Sequence, residues 1–155
     1  MTWSYVYSPL IWPSIATALL LIALVTFSGL RLSVPGALPF MITCLFGFFW
    51  AAGNILEYLA VDLPTQVFWV KFQAATNLPL ITAITCFLLE YAWPGRWLTR
   101  RNLILLSLPC LFFLALIVTN DPYQWIWRGF IPDGRIIPLR GPVNWIAIGY
   151  SFGFL

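Results

Sequence analysis

The sequence predicts an all-α integral membrane protein, a polytopic bundle of about five transmembrane helices with the last one incomplete. Three observations carry this. The chain is 61% hydrophobic and 8% charged, where a soluble domain is roughly half apolar and about a quarter charged. Its 155 residues include 9 Trp, 6 Tyr and 13 Phe, the aromatic load that bilayer interfaces select. Apolar runs of spanning length recur between short segments rich in proline, glycine and charge.

The first run, residues 9–30, follows an aromatic leader, Met1–Tyr7, that has no basic residue. A secretory signal would have a basic start, a shorter apolar core and a small-residue cleavage site, so this run is expected to stay as a transmembrane helix. Arg31 and the turn Ser33-Val34-Pro35-Gly36 lead to a second run, 37–61. A polar turn, Asp62 to Gln66, precedes the third, 67–92, which carries Pro79 in its middle. The basic loop Trp93–Asn102 separates it from the fourth, 103–119, interrupted by Pro109.

The connection 120–142 is rich in turn residues. Asp133-Gly134, flanked by Trp125–Ile131 and Arg135–Leu139, predicts a short β-hairpin resting on the membrane, with Trp125 and Trp127 at headgroup level. The last run, 143–155, is too short to span. It is read as part of a longer protein or as a truncated product.

Composition also excludes chemistry. With no histidine, the usual proton shuttle, the commonest metal ligand and the usual base of a nucleophilic pair are gone. There is no glycine-rich phosphate loop and no helix bearing two metal ligands, so no catalytic residue, cofactor site or metal site is expected. Cys44, Cys86 and Cys110 lie inside apolar runs and are odd in number, which does not indicate a disulfide framework. The formal net charge of +3 is spread over loops without a basic stripe and offers nothing to nucleic acid.

What remains is polar groups inside spans. Thr43, Gly47, Trp50, Asn54 and Glu57 recur every three or four residues and share one helical face. The third run opens with Trp69 and Lys71 and continues with Gln73, Thr76 and Asn77. Glu57 and Lys71 lie about 6 to 8 Å from the same end of their helices at ~1.5 Å per residue. An ion pair between them, extended by Asn54 and Gln73, is expected; the alternative is that Lys71 snorkels alone to the headgroups. At the opposite end, Glu90 is expected to bridge to Arg96, Arg100 or Arg101.

With four full spans, the first and third loops share a side and carry Arg31, Arg96, Arg100 and Arg101 without an acid. The other side mixes Asp62, Asp121 and Asp133 with Arg128, Arg135 and Arg140. The basic residues predict a multi-pass protein of the cell membrane with its N-terminus outside.

Several groups in order and spacing point to a family. Glu57, Phe68-Trp69-x-Lys71-x-Gln73, Pro79, Phe87-Leu88-Leu89-Glu90-Tyr91, Trp97-Leu98-Thr99-x-Arg101 and Thr119-Asn120 followed by Ile126-Trp127 resemble the N-terminal seven-helix region of bacterial sensor histidine kinases. The same input module also precedes diguanylate cyclases. The resemblance covers about residues 38–152, the first four to five of seven helices. Relatives usually place one or two histidines between the Thr-Asn pair and the Ile-Trp, where this chain has Tyr123-Gln124.

The resemblance implies an outside N-terminus and a sensory input module that biases a cytoplasmic kinase or cyclase; autophosphorylation would belong to another region. The expected sensing cluster is Asn54, Glu57, Lys71, Gln73 and Asn77, covered by an outer loop bearing Thr119, Asn120 and Trp127. Expected partners are the lipid bilayer, a linked or separate output domain and, as an option, a second copy of the chain. The alternatives are a stand-alone small membrane subunit or scaffold and, from another class, half of a transporter.

Overall fold

The computed structural model of the protein describes residues 4–133 and 135–153. A short 3-10 turn, Pro9–Ile11, leads into α1 (Trp12–Gly29), followed by α2 (Ala37–Leu59), α3 (Leu63–Ala92), α4 (Arg100–Val118) and the single turn α5 (Asn120–Tyr123). The strands β1 (Trp127–Asp133) and β2 (Arg135–Arg140) form an antiparallel hairpin, and α6 (Asn144–Gly153) follows. Four helices, Pro9–Gly29, α2, α3 and α4, are long and apolar enough to cross a membrane. Leu19, Leu20, Leu108 and Phe112 on their outer faces are exposed, as lipid-facing side chains would be in a bundle of this kind.

α3 begins at Leu63 rather than at Val67, because the polar stretch Asp62–Gln66 serves as its N-terminus instead of a separate turn. Asp62 Oδ2 accepts from the Thr65 amide (3.0 Å) and the Thr65 hydroxyl (2.6 Å). Pro64 falls in the first turn, where a missing N–H costs nothing. α4 starts at Arg100, capped by the Thr99 hydroxyl, which accepts from the Asn102 amide at 3.4 Å.

Small residues set the closest helix contacts. A Cβ on Gly47 would lie 3.3 Å from Leu21 of α1 and 3.5 Å from Leu80 of α3, and one on Gly53 would lie 2.9 Å from Gln73 Cγ. α2 thus packs tightly between α1 and α3, while α3 meets α4 more loosely. The apolar core lies between α3, α4 and the loop: Leu78, Cys110, Phe113, Ile117, Ile126 and Trp127, with Tyr150 of α6 against Phe113 and its hydroxyl 3.2 Å from Thr82 Oγ1.

The two ends of the bundle differ. At one, which we call the hairpin end, the N-terminal segment pairs with the end of α2: Val6 N donates to Leu59 O (2.8 Å) and Val61 N to Ser4 O (3.0 Å). The 125–143 connection closes on itself there, with Gly141 N donating to Ile126 O (2.6 Å) and Val143 N to Trp125 O (3.2 Å). A Cβ at Gly141 would lie 2.3 Å from the Trp125 carbonyl oxygen, so only glycine fits. The other end, the arginine end, holds Arg31, Arg96, Arg100 and Arg101. The tip of the expected hairpin turn, residue 134, lies outside the described residues; the register around it pairs Asp133 with Arg135.

Candidate functional site

Beneath the hairpin end, four polar side chains from three helices join in one chain of hydrogen bonds. Ser14 Oγ of α1 donates to Asn54 Oδ1 (2.7 Å), Asn54 Nδ2 donates to Gln73 Oε1 (3.4 Å), and Gln73 Nε2 donates to Glu57 Oε2 (2.6 Å). Asn54, Glu57 and Gln73 are each more than nine-tenths buried. Burying such groups without partners would cost more than their apolar replacement, so their mutual satisfaction is what lets the three helices close here.

The expected ion pair of Glu57 with Lys71 does not form. Lys71 pairs with Asp121 of α5, and Glu57 takes the Gln73 amide. Residues two apart on a helix point about 200° from each other, so once Gln73 faces α2, Lys71 is turned away from it toward the loop. Nor does Lys71 snorkel alone. Asn77, one turn beyond Gln73, is half-buried and outside the hydrogen-bonded chain. Ser14 escapes the sequence reading; its only signal is a hydroxyl in the first turn of an apolar run, at the depth of Asn54.

The loop residues do structural work. Asn120, 4% exposed, accepts at Oδ1 from the amides of Ile126 (2.8 Å) and Trp127 (3.0 Å) and donates from Nδ2 to Trp127 O (3.0 Å). All of these partners are backbone. Thr119 Oγ1 donates to Ala115 O within its own helix. The clasp turns Ile126 and Trp127 inward, so Trp127 is buried in the core, while Trp125 is exposed. Gln124 follows in the left-handed region (φ 52°), which lets the chain reverse directly after α5. Asp62, capping α3 at this end, has its carboxyl held below the ordinary aspartate range, chiefly by the Thr65 hydroxyl.

At the arginine end the expected salt bridge is also missing. Among the described residues Glu90 pairs with none of Arg96, Arg100 and Arg101; its Oε1 accepts instead from the Gly95 amide at 3.1 Å, inside the turn that leaves α3. A cavity of about 830 Å³ opens beside it, between α2, α3 and α4. No group of His, Cys, Asp and Glu suited to a metal ion occurs among the described residues.

The geometry is therefore a helix bundle with a buried polar chain near one end and a clasped loop above it. No curated protein and no solved structure matches the chain. A family model described as the N-terminal 7TM region of histidine kinase matches residues 13–155. The match takes in α1 from its second residue, α2 to α6, the hairpin and every residue of the buried polar chain. This chain belongs to the family of N-terminal 7TM regions of histidine kinases.

Proposed function

We propose that the chain is a sensory input module whose buried chain Ser14-Asn54-Gln73-Glu57 couples events at the hairpin end to the packing of α1, α2 and α3. The observation that carries this is that one carboxylate and two amides, all buried, together with the Ser14 hydroxyl join three helices through three hydrogen bonds. Polar side chains inside a span are costly to keep and mark sites of function. The carboxylate at its end can only accept, which fixes the direction of every bond along the chain, so a small displacement above it that parts one bond loosens the contacts of all three helices and shifts them below.

In this reading the hairpin end faces outward, as the arginine distribution suggests, and an output domain on the other side receives the helix shift. The stand-alone subunit or scaffold reading gains less support. The small residues that would serve a partner helix, Gly47 and Gly53, are used within the chain against Leu21, Leu80 and Gln73.

The test joins this chain to a histidine kinase output region and measures autophosphorylation in membranes. Glu57→Gln keeps the size and a hydrogen-bonding head but removes the charge. The expected outcome is altered autophosphorylation at unchanged membrane abundance. A parallel loss of both would make the network structural and refute the proposal.

A further inference from the structure

The cavity at the arginine end is independent of the polar chain and has its own chemistry. Its walls are Leu38, Ile42 and Phe46 of α2, Pro79, Ala83 and Cys86 of α3, and Leu103, Leu111 and Leu114 of α4. It follows α3 from Pro79 to Glu90, about 16 Å at ~1.5 Å per residue. This is an apolar slot that runs parallel to the spans.

Its far end is not apolar. Glu90 lines the slot; one carboxylate oxygen takes the Gly95 amide, and the other, Oε2, is buried with no hydrogen-bond partner among the described residues. A buried acceptor left without a donor is costly, and native structures seldom tolerate one. The positive groups nearest in sequence do not meet it. Arg96, Arg100 and Arg101 are exposed and form no ion pair among the described residues. They flank Gly95, Leu98 and Leu103, which line the slot.

We infer that this slot holds a membrane phospholipid with a protonated primary amine in its headgroup, a phosphatidylethanolamine. An acyl chain would lie against α3 between α2 and α4, the ammonium would donate to Glu90 Oε2, and the phosphate would face the arginines. The charge pattern selects this class. A choline headgroup has no N–H to give Glu90, and a glycerol headgroup brings the phosphate without the cation. The inference does not rest on the sensory reading, since none of the lining residues belongs to the Ser14-Asn54-Gln73-Glu57 chain.

The test is native mass spectrometry of the purified chain released from micelles containing phosphatidylethanolamine, phosphatidylcholine or phosphatidylglycerol with matched acyl chains. The expected result is retention of one phosphatidylethanolamine, roughly tenfold preferred over phosphatidylcholine, the discrimination that one charge-assisted hydrogen bond supplies. Glu90→Gln should abolish that preference, while Arg100→Gln with Arg101→Gln should weaken both lipids together. Leu111→Trp, which fills the slot, should remove retention of either. Equal retention of the two lipids by the unaltered chain overturns the inference whether or not any variant folds. So does a preference that survives Glu90→Gln, or a slot satisfied by a second copy of the chain with no lipid retained.

Discussion

Removing the Gln73 amide from Glu57 tests the buried polar chain most directly. At 2.6 Å this is the shortest of its three bonds, and its acceptor is a carboxylate. In soluble proteins a hydrogen bond to a charged group contributes about 1.5–3 kcal/mol. Between membrane helices the measured couplings are smaller, averaging ~0.6 and reaching ~1.7 kcal/mol, because the unfolded helices also find partners in the membrane. A short, buried bond to an acid belongs in the upper part of the membrane range. We expect a coupling of about 1–1.7 kcal/mol, a factor of roughly 5 to 18 in the folding equilibrium. The Asn54–Gln73 contact, at 3.4 Å, adds little.

The assay is a double-mutant cycle with Glu57→Met, Gln73→Met and both, since methionine keeps an unbranched side chain of similar length. Unfolding is followed by circular dichroism as SDS replaces a mild detergent. The cycle subtracts whatever else Glu57 touches, so the coupling reports the pair alone. A coupling below about 0.3 kcal/mol, within the error of additivity, would refute the view that this bond holds α2 to α3.

Three further outcomes follow from other contacts. Gly53→Ala gains ~1 kcal/mol of helix propensity but drives a methyl to 2.9 Å from Gln73 Cγ and 3.0 Å from Phe72; overpacking costs about 1–3 kcal/mol. The variant should be destabilised, and the Glu57–Gln73 coupling measured in its background should fall. Asp121→Asn breaks the pair with Lys71, but Asp121 is 75% exposed. The loss in SDS unfolding should stay under about 1 kcal/mol and shrink further in roughly 0.5 M salt; a larger, salt-independent loss would contradict this. Because the folded Asp62 carboxyl lies below its ordinary value, its stabilising contribution is complete above the unfolded value near pH 4 and disappears as pH falls through the folded one. The melting difference between wild type and Asp62→Ala should therefore be constant from about pH 5 to 7 and narrow in more acidic buffer.

Much of the architecture was legible because run length and turn chemistry act locally. The four spans follow from apolar length, and the hairpin follows from Asp133-Gly134 between two β-prone pieces. The polar face of α2 is visible in the spacing of Asn54 and Glu57. Pairing was less legible, because depth along a helix can be counted from its end but the rotation of one helix against another cannot. Lys71 and Gln73 lie at similar depth, and only the packing around Gly53 decides that Gln73 is the residue facing Glu57. The burial of Trp127 was hidden for a related reason. An aromatic residue in a loop suggests an interface, and nothing local reveals that the Asn120 side chain will gather the next strand's amides and turn the indole inward. Glu90 found a backbone amide five residues away, a partner closer in sequence than the arginines proposed for it.

The closure at Gly141 bears on how the hairpin can be used. Because the chain is tied off where Gly141 meets Ile126 and Val143 meets Trp125, the strands leave the knot from a fixed stem and rest on the bundle through Phe130 and Ile136. Pulling on the tip loads the knot before it loads α4 or α6. An epitope or a fluorescent label inserted beside residue 134 should therefore report which side of the membrane the tip occupies without altering the bundle, while a side chain at 141 would untie the stem and set both helices adrift from the loop.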